Sequence, residues 1–452
     1  MEQFKYVAAI DIGTTKIVAI IGRKDITGKV EIVGMGKTPS KGVKRGVVQN
    51  IEETSETIKT AVKIAEQQAG VKIKTAYVGI AGQHIKSMKN RAYKFISNPE
   101  EEINLADVLE LNEDMKKIPM QAGEQIIHVL PQNYIVDDES GIINPVGMSG
   151  RKLEANFHIV ICQSGSAKNI LKCVDRAGIE VNSLILEPLA SADAVLTEDE
   201  KEVGIAMVDI GGGTTDIAVY YNGIIRHTAV VPFGGNVITS DIKEGCGILA
   251  RQAEQLKLQF GSALGDLAPD SRIVAVPGIN GRDAKEISMR TLAHIIQARM
   301  EEIIDAVMFE IMNSGYADRL GAGIAVTGGG SMLRNLSQLM KFRTGLDVKV
   351  GFPRAKFTRG LDVEGGQPMF STGVGLILKG FEFEMAPKVK EKAAPKVEEK
   401  KTEPIKEEQI TPTVEGNSED YTQEKNSALN ELISGFTSSF KTMFGDKPDP
   451  KM

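Results

Sequence analysis

Two stretches decide the fold: Ala8-Ala9-Ile10-Asp11-Ile12-Gly13-Thr14-Thr15-Lys16-Ile17-Val18-Ala19 and Met207-Val208-Asp209-Ile210-Gly211-Gly212-Gly213-Thr214-Thr215-Asp216-Ile217-Ala218-Val219. Each puts an aspartate at the end of an apolar run, then glycine and threonine, then a second apolar run. Such a pattern predicts a β-hairpin whose turn brings backbone amides and hydroxyls close to a ligand, an arrangement that suits phosphate oxygens. The aspartates, facing the same point, suit a hydrated Mg²⁺, which keeps several of its waters. One copy alone reads more readily as an ordinary hairpin turn. Two copies predict two related halves that clamp a phosphate chain from both sides.

Around these hairpins, β-rich runs alternate with helix-period segments. Tyr6 to Ile10, Ile17 to Ile21, Ile205 to Asp209, Ile217 to Tyr221 and Ile324 to Thr327 read as strands. Ile51 to Ala69, Ala167 to Ala177, Gly247 to Phe260 and Leu292 to Asn313 read as helices, so the class is α/β. A third glycine cluster, Gly328-Gly329-Gly330-Ser331-Met332, follows a strand and allows either close approach to a flat ligand or a tight strand–helix turn. No Gly-x-Gly-x-x-Gly follows the first strand and no P-loop motif occurs at these sites.

The 452 residues carry a formal charge of −6, which argues against binding nucleic acid through bulk positive charge. Three cysteines, Cys162, Cys173 and Cys246, have none of the paired spacings of a zinc site or a disulfide framework. No run approaches the about 18 apolar residues of a membrane span, and the N-terminus lacks signal-peptide patterning. Neither a Ser-His-Asp order nor a Cys-His pair suggests nucleophilic catalysis.

Composition changes near Met385. From Ala386 to Asn426 the chain holds eight lysines, ten acidic residues and four prolines, so it reads as a disordered linker with a reach of roughly 35 Å. Beyond it, Leu429, Leu432, Ile433, Phe436, Phe440 and Met443 recur at helical spacing with Phe444 beside them, between a capping Ser427 and Gly445. This predicts an amphipathic helix that either docks on its own protein or, given the long linker, binds a membrane surface or a partner groove. A single copy would bind a membrane weakly and reversibly.

In order, Asp11 to Lys16, Leu186-Glu187-Pro188-Leu189-Ala190-Ser191-Ala192, Asp209 to Thr215, Gly328 to Ser331 and Ser371-Thr372-Gly373-Val374-Gly375 resemble the five motifs of the actin, sugar kinase and DnaK-type ATPase superfamily. Tyr77 to His84, Tyr134 to Asp138 and Ile143 to Gly150 are similar to stretches distinctive of the FtsA family of cell division proteins, and the likeness covers about residues 4 to 382.

The resemblance implies an actin-like, two-lobed ATPase fold of duplicated ribonuclease-H-like domains. Its parts would be residues 1–83 with 161–190, an inserted small α/β subdomain at 84–160, residues 191–245 with 311–385, a small subdomain at 246–310, the linker at 386–426 and a membrane-targeting helix at 427–445.

It further implies ATP and Mg²⁺ as cofactors, with weak hydrolysis. Asp11 and Asp209 would hold the metal through water; Gly13, Thr14, Thr15 and Lys16, with Gly211, Gly212, Gly213, Thr214 and Thr215, would form the phosphate loops. Glu187 would orient the attacking water, or be simply a helix-start residue. Gly234, Gly235 and Asn236 resemble a nucleotide-contacting turn, and Gly328 to Met332 an adenosine-side turn. Glu254 and Lys257 would flank ribose and adenine, or form an i,i+3 ion pair.

The implied function is a peripheral protein on the cytoplasmic side of the cell membrane at the division septum. There it would polymerise with itself, tether FtsZ through the FtsZ C-terminal tail, and recruit later division proteins through the inserted subdomain. The tail would meet Pro277 to Asp305, where Arg282, Arg290 and Arg299 either face acidic groups or are solvated helix positions. An actin-like scaffold of a pilus assembly platform and a sugar kinase are the competing expectations. A DnaK-type chaperone, which would need a substantial peptide-binding β domain, is discounted as an expectation because the 67 residues after Met385 are mostly polar.

Overall fold

The computed structural model describes residues 5–24, 28–96, 102–269, 271–278, 282–358 and 360–385. The chain divides into a compact unit, Met1–Pro387, and a second unit, Lys388–Met452. Every described residue belongs to the first. The readings of a linker at 386–426 and an amphipathic helix at 427–445 therefore lie outside the described residues.

Both halves are built on one sheet topology. In the first, Tyr6–Ile12 and Lys16–Lys24 form an antiparallel hairpin extended by Val30–Pro39, while Thr75–Ile80 and Glu180–Leu186 add in parallel on the other side of Tyr6–Ile12. In the second, Ile205–Ile210 and Thr215–Tyr221 form the hairpin, Ile224–Val231 extends it, and Ile324–Thr327 and Val348–Val350 add in parallel. The internal echo is thus a duplicated five-stranded arrangement. The first sheet gains one further edge strand, Lys356–Phe357, from late in the chain.

Alternation along each strand feeds two cores, as expected for sheets covered on both faces. Ile10, Ile17, Ala19 and Ile21 pack beneath the helix Ile51–Ala69, whereas Val7, Ala9, Val18 and Ile20 face a core shared with the second half. Met207, Ala218 and Ala325 of the second sheet enter that shared core; two helices, Glu187–Val195 and Ser371–Met385, contribute Leu189, Val195, Val374 and Ile377, and the turn just before the second adds Phe370. The opposite face of the second sheet packs Val208, Ile217 and Val219 against Ile296, Met300 and Ile303 of the long helix Met289–Asn313.

Strands and helices fall close to the sequence expectation, with one correction. The segment Gly247 to Phe260, read as one helix, begins its helix only at Ala250, and a separate helix, Gly235–Cys246, precedes it. Gly247 is the reason: at φ 58° it ends the first helix in the left-handed conformation that glycine tolerates best.

Between the two segments of the first half lies a four-stranded antiparallel sheet in the order Ile85–Phe95, Lys152–Gln163, Glu124–Val136, Glu139–Ile142. The helix Leu105–Met115, capped by Asn104, covers one face through Val108, Leu111 and Met115 against Phe157 and Ile159. Among the described residues no helix is long and apolar enough to cross a membrane.

The two shared helices touch backbone to backbone, because a Cβ on Gly375 would lie 1.8 Å from the Ala190 carbonyl oxygen. Gly375→Ala, which ordinary helix propensity would favour, is expected instead to lower unfolding stability by about 1 to 3 kcal/mol, measured as a shifted urea midpoint at unchanged m.

Candidate functional site

The two hairpin turns interlock. A Cβ on Gly212 would lie 2.2 Å from Thr15 Cγ2, and one on Gly213 would lie 2.5 Å from Thr14 Oγ1 and 3.0 Å from Arg45 Cα. Glycines in one turn therefore leave the space that threonines of the other fill. The Thr14 hydroxyl also accepts the Gly46 N–H at 3.2 Å, and the Gly211 N–H closes its own turn on the Thr214 carbonyl at 2.9 Å.

This contact gathers the acids. Asp11 and Asp209 sit at equivalent places near the ends of their strands, opposite Val18 and Asp216 respectively, and both are buried. Asp209 Oδ2 accepts the hydroxyls of Ser191 at 2.7 Å and Thr372 at 3.1 Å, one from each shared helix. Gly328, at φ 81°, comes so near that a Cβ there would lie 2.2 Å from Asp209 Oδ1. Asp216 Oδ2 accepts the Thr214 hydroxyl at 2.9 Å, whereas its buried Oδ1 has no hydrogen-bond partner. Glu187 is the first residue of its helix, with room made for it by Gly79, where a Cβ would lie 3.1 Å from the Glu187 Cγ.

Burial and mutual repulsion push these carboxyls up. Burial raises Asp11 to about 6, opposed by Lys16 and reinforced by Asp209. Burial together with the Asp209 charge raises Asp216 to about 8, against the Thr214 hydrogen bond. Glu187 is held well above its ordinary value by burial and by Asp11, Asp216 and Asp209. Burial raises Asp209 as well, against the hydroxyls of Ser191 and Thr372 and the charge of Lys16.

A divalent cation would stabilise the ionised forms, and the orphaned Asp216 oxygen is an acceptor that a metal-bound water could satisfy. Among the described residues no group of three or more His, Cys, Asp or Glu is placed to ligate a metal directly. The donor set of Asp11, Asp209 and Asp216 fits a hydrated ion held through its waters.

The remaining predicted residues divide. Gly235 and Asn236 donate their N–H groups to the carbonyls of Gly211 at 2.9 Å and Gly212 at 2.8 Å, so the turn Gly234 to Asn236 is bonded directly to the turn of the second hairpin. Glu254 and Lys257 form an i,i+3 ion pair at 2.7 Å, and Lys257 Nζ also donates to the Gly235 carbonyl and the Thr239 hydroxyl, each at 2.8 Å. The pair thus braces the turn.

Gly329 borders open space and Met332 is exposed, so this end of the glycine cluster is accessible. Two hydroxyls, by contrast, are already committed within the fold: Thr215 donates to the Phe233 carbonyl at 2.9 Å and Ser331 to the Gly328 carbonyl at 2.7 Å.

Sequence reasoning did not assign Asp216, Ser191, Thr372 or Gly79 to the site. Ser191 and Thr372 lie within motifs already singled out, and Asp216 lies within the echo. Their roles depend on which strand or helix faces Asp209, which letter patterns do not show.

The raised acids carry a stability consequence. Unfolded, both aspartates titrate near 3.8; folded, Asp11 releases its proton at about 6 and Asp216 at about 8. The fold holds these protons more tightly, so their stabilising effect is full below about pH 4 and is lost as the pH rises through about 6 and then about 8. In a chelating buffer the melting temperature should therefore fall by a few degrees across that window, and Asp216→Asn should flatten its upper half in differential scanning fluorimetry.

The family model described as Cell division protein FtsA matches residues 206–375, and that of the SHS2 domain inserted in FTSA matches residues 82–161. A shorter match, residues 134–264, is to Ethanolamine utilisation protein EutA. Cell division protein FtsA of Pseudomonas aeruginosa is 41% identical over 382 residues, spanning 84% of this chain and 91% of that one. The Escherichia coli protein of the same name is 37% identical over 385 residues, again 84% of this chain and 91% of its own. A chain of the PilM-PilN type IV pilus biogenesis complex superposes with a TM-score of 0.59 at 14% identity, covering 83% of this chain and 98% of that one, a likeness of fold alone. With these identities over most of both chains, on the duplicated two-lobed frame described above, the chain belongs to the FtsA family of cell division proteins and has their actin-like fold.

Proposed function

We propose that this protein binds ATP with Mg²⁺ between the two interlocked hairpins, polymerises on the cytoplasmic face of the cell membrane at the division septum, and there tethers FtsZ filaments and recruits later division proteins. The reading is carried by one observation, the convergence of two equivalent glycine and threonine turns on Asp11 and Asp209 in a member of a division family.

In this reading Gly13 to Lys16 and Gly211 to Thr214 offer amides and hydroxyls to the phosphates, with Lys16 adding a charge. Asp11 and Asp209 hold the metal through its waters, and Asp216 adds a third carboxylate beside them. A metal held there would supply positive charge against the phosphates. Glu187, at the start of its helix, orients a water in line with the terminal phosphate, and no covalent intermediate is required. Gly234 to Asn236, Glu254, Lys257 and Gly328 to Met332 form the nucleoside side.

Membrane attachment falls to the apolar positions Leu429 to Phe444. Anchors that are each marginal become effective together when they are linked along one polymer, so assembly and attachment are coupled. The FtsZ tail is placed near Pro277 to Asp305. There Arg299 is already bonded to Asp241 at 2.5 and 3.0 Å and to Glu302 at 2.5 Å, and Arg290 lies 3.5 Å from Asp266, which leaves the exposed Arg282 as the cation best placed for an acidic tail. A pilus-platform role has the shared fold in its favour but only 14% identity behind it.

Deleting residues 429–444 should abolish co-sedimentation with liposomes of anionic lipid while ATP binding persists; unchanged sedimentation overturns the anchor. Asp209→Ala should lower ATP affinity by roughly tenfold or more and suppress polymers seen by electron microscopy, and wild-type affinity in that variant overturns the assigned site. Mixed with FtsZ and liposomes, the intact protein should carry FtsZ into the lipid pellet in the presence of ATP.

A further inference from the structure

The helix that begins with Glu187 has no side-chain cap of its own at Leu186. Leu186 ends a strand at the edge of the first sheet, where, among the described residues, backbone amides on the outer side have no neighbouring strand to bond. The acceptor for its N–H comes from elsewhere: His128 Nε2, at 3.0 Å. His128 belongs to the inserted sheet, on the strand Glu124–Val136, so a single hydrogen bond links that sheet to the residue preceding Glu187.

The same strand also reaches the second half. Gln132 Nε2 donates to the carbonyls of Ile225 at 2.9 Å and Arg226 at 3.2 Å, and on the neighbouring strand His158 Nε2 lies 2.8 Å from the Thr228 hydroxyl. Those partners sit on Ile224–Val231, which pairs directly with the strand carrying Asp216, Val230 opposite it. The inserted sheet is thus bonded to both halves one step away from their phosphate-facing residues.

We propose that His128 is a positioning residue for the phosphate site, fixing where the Glu187 helix begins so that the inserted sheet and the Glu187 carboxylate move together. An imidazole that accepts through Nε2 must be neutral with its proton on Nδ1. Burial, with Lys379 and Lys116 adding positive charge nearby, pushes His128 down to about 4, which keeps it neutral at physiological pH. The inference rests on reading Glu187 as the group that orients water.

The test uses the full chain with Mg²⁺ and ATP and compares wild type with His128→Ala, His128→Gln and Glu187→Gln. Single-turnover hydrolysis, ATP affinity and hydrogen exchange of the Leu186 amide are measured. In His128→Ala the Leu186 amide should exchange at least tenfold faster and hydrolysis should slow by roughly tenfold, while ATP affinity stays within about threefold. His128→Gln, whose side-chain carbonyl can accept the same N–H, should recover most of both and remains informative if the alanine variant fails to fold.

Unchanged exchange in His128→Ala overturns the proposal. So does wild-type hydrolysis in that variant when Glu187→Gln is impaired, or a glutamine variant no better than the alanine one. If Glu187→Gln hydrolyses ATP like wild type, the role given to Glu187 falls separately, and exchange at Leu186 alone decides the link.

Discussion

Everything at this site depends on two turns being able to touch. Thr14 and Thr15 occupy the space above Gly212 and Gly213, where a Cβ would fall 2.2 to 2.5 Å from a threonine atom, so only glycine fits opposite. The strand register makes the relation explicit. Asp11 and Val18 face one another as Asp209 and Asp216 do, which makes Thr14 and Thr15 the equivalents of Gly212 and Gly213. The duplicated turns are therefore complementary rather than identical, side chains on one and gaps on the other. Two copies of the first turn would collide.

Once the turns meet, the acids at their bases are forced together in a buried place, and the rest of the local structure works against that repulsion. Lys16 supplies positive charge from the first hairpin. Ser191 and Thr372 supply hydroxyls to Asp209 from the two shared helices, and they also contact each other at 3.0 Å. Those helices can deliver hydroxyls to one oxygen because Gly375 lets them approach to backbone contact and because the shared core of Leu189, Phe370, Val374 and Ile377 holds them between the sheets. Packing between these two helices thus sets the charge geometry around Asp209.

The fold was legible in the chain because its deciding signal is local: an apolar run, an acid, a tight turn and a second apolar run, written twice. Strands at Ile205 and Ile324 and the helix at Ile51 follow from periodicity within a few residues of where they lie. The meeting of the two turns beside Asp11 and Asp209 was legible for the same reason. What could not be read is whatever depends on register or on long-range approach. Asp216 sits in plain view in the second echo, yet only the pairing of Asp209 with Asp216 identifies it as a cross-strand neighbour. Letters align Thr14-Thr15 with Thr214-Thr215, whereas the register aligns them with glycines. The hydroxyls of Thr215 and Ser331 look available in sequence and are spent on the carbonyls of Phe233 and Gly328. The helix at Gly235 was missed because Gly247, a residue that ends a helix, reads in sequence as though it could begin one.

The pattern of what is balanced and what is not also argues for the kind of ligand. Apolar surface is closed by the shared core, and the loop carbonyls of Gly211 and Gly212 are satisfied by the Gly235 and Asn236 amides. Charge is different. Asp11, Glu187 and Asp209 gather around Lys16 with Asp216 close to Asp209, and both Asp11 and Asp216 are raised by their neighbours as well as by burial. A bare anion would add to this repulsion, and a bare cation would leave the glycine-rich turns without a partner. A phosphate chain carrying its own divalent metal answers both demands at once, with the cation toward the acids and the oxygens toward the turns. Neither half of such a pair alone would be complementary to both the carboxylates and the loops.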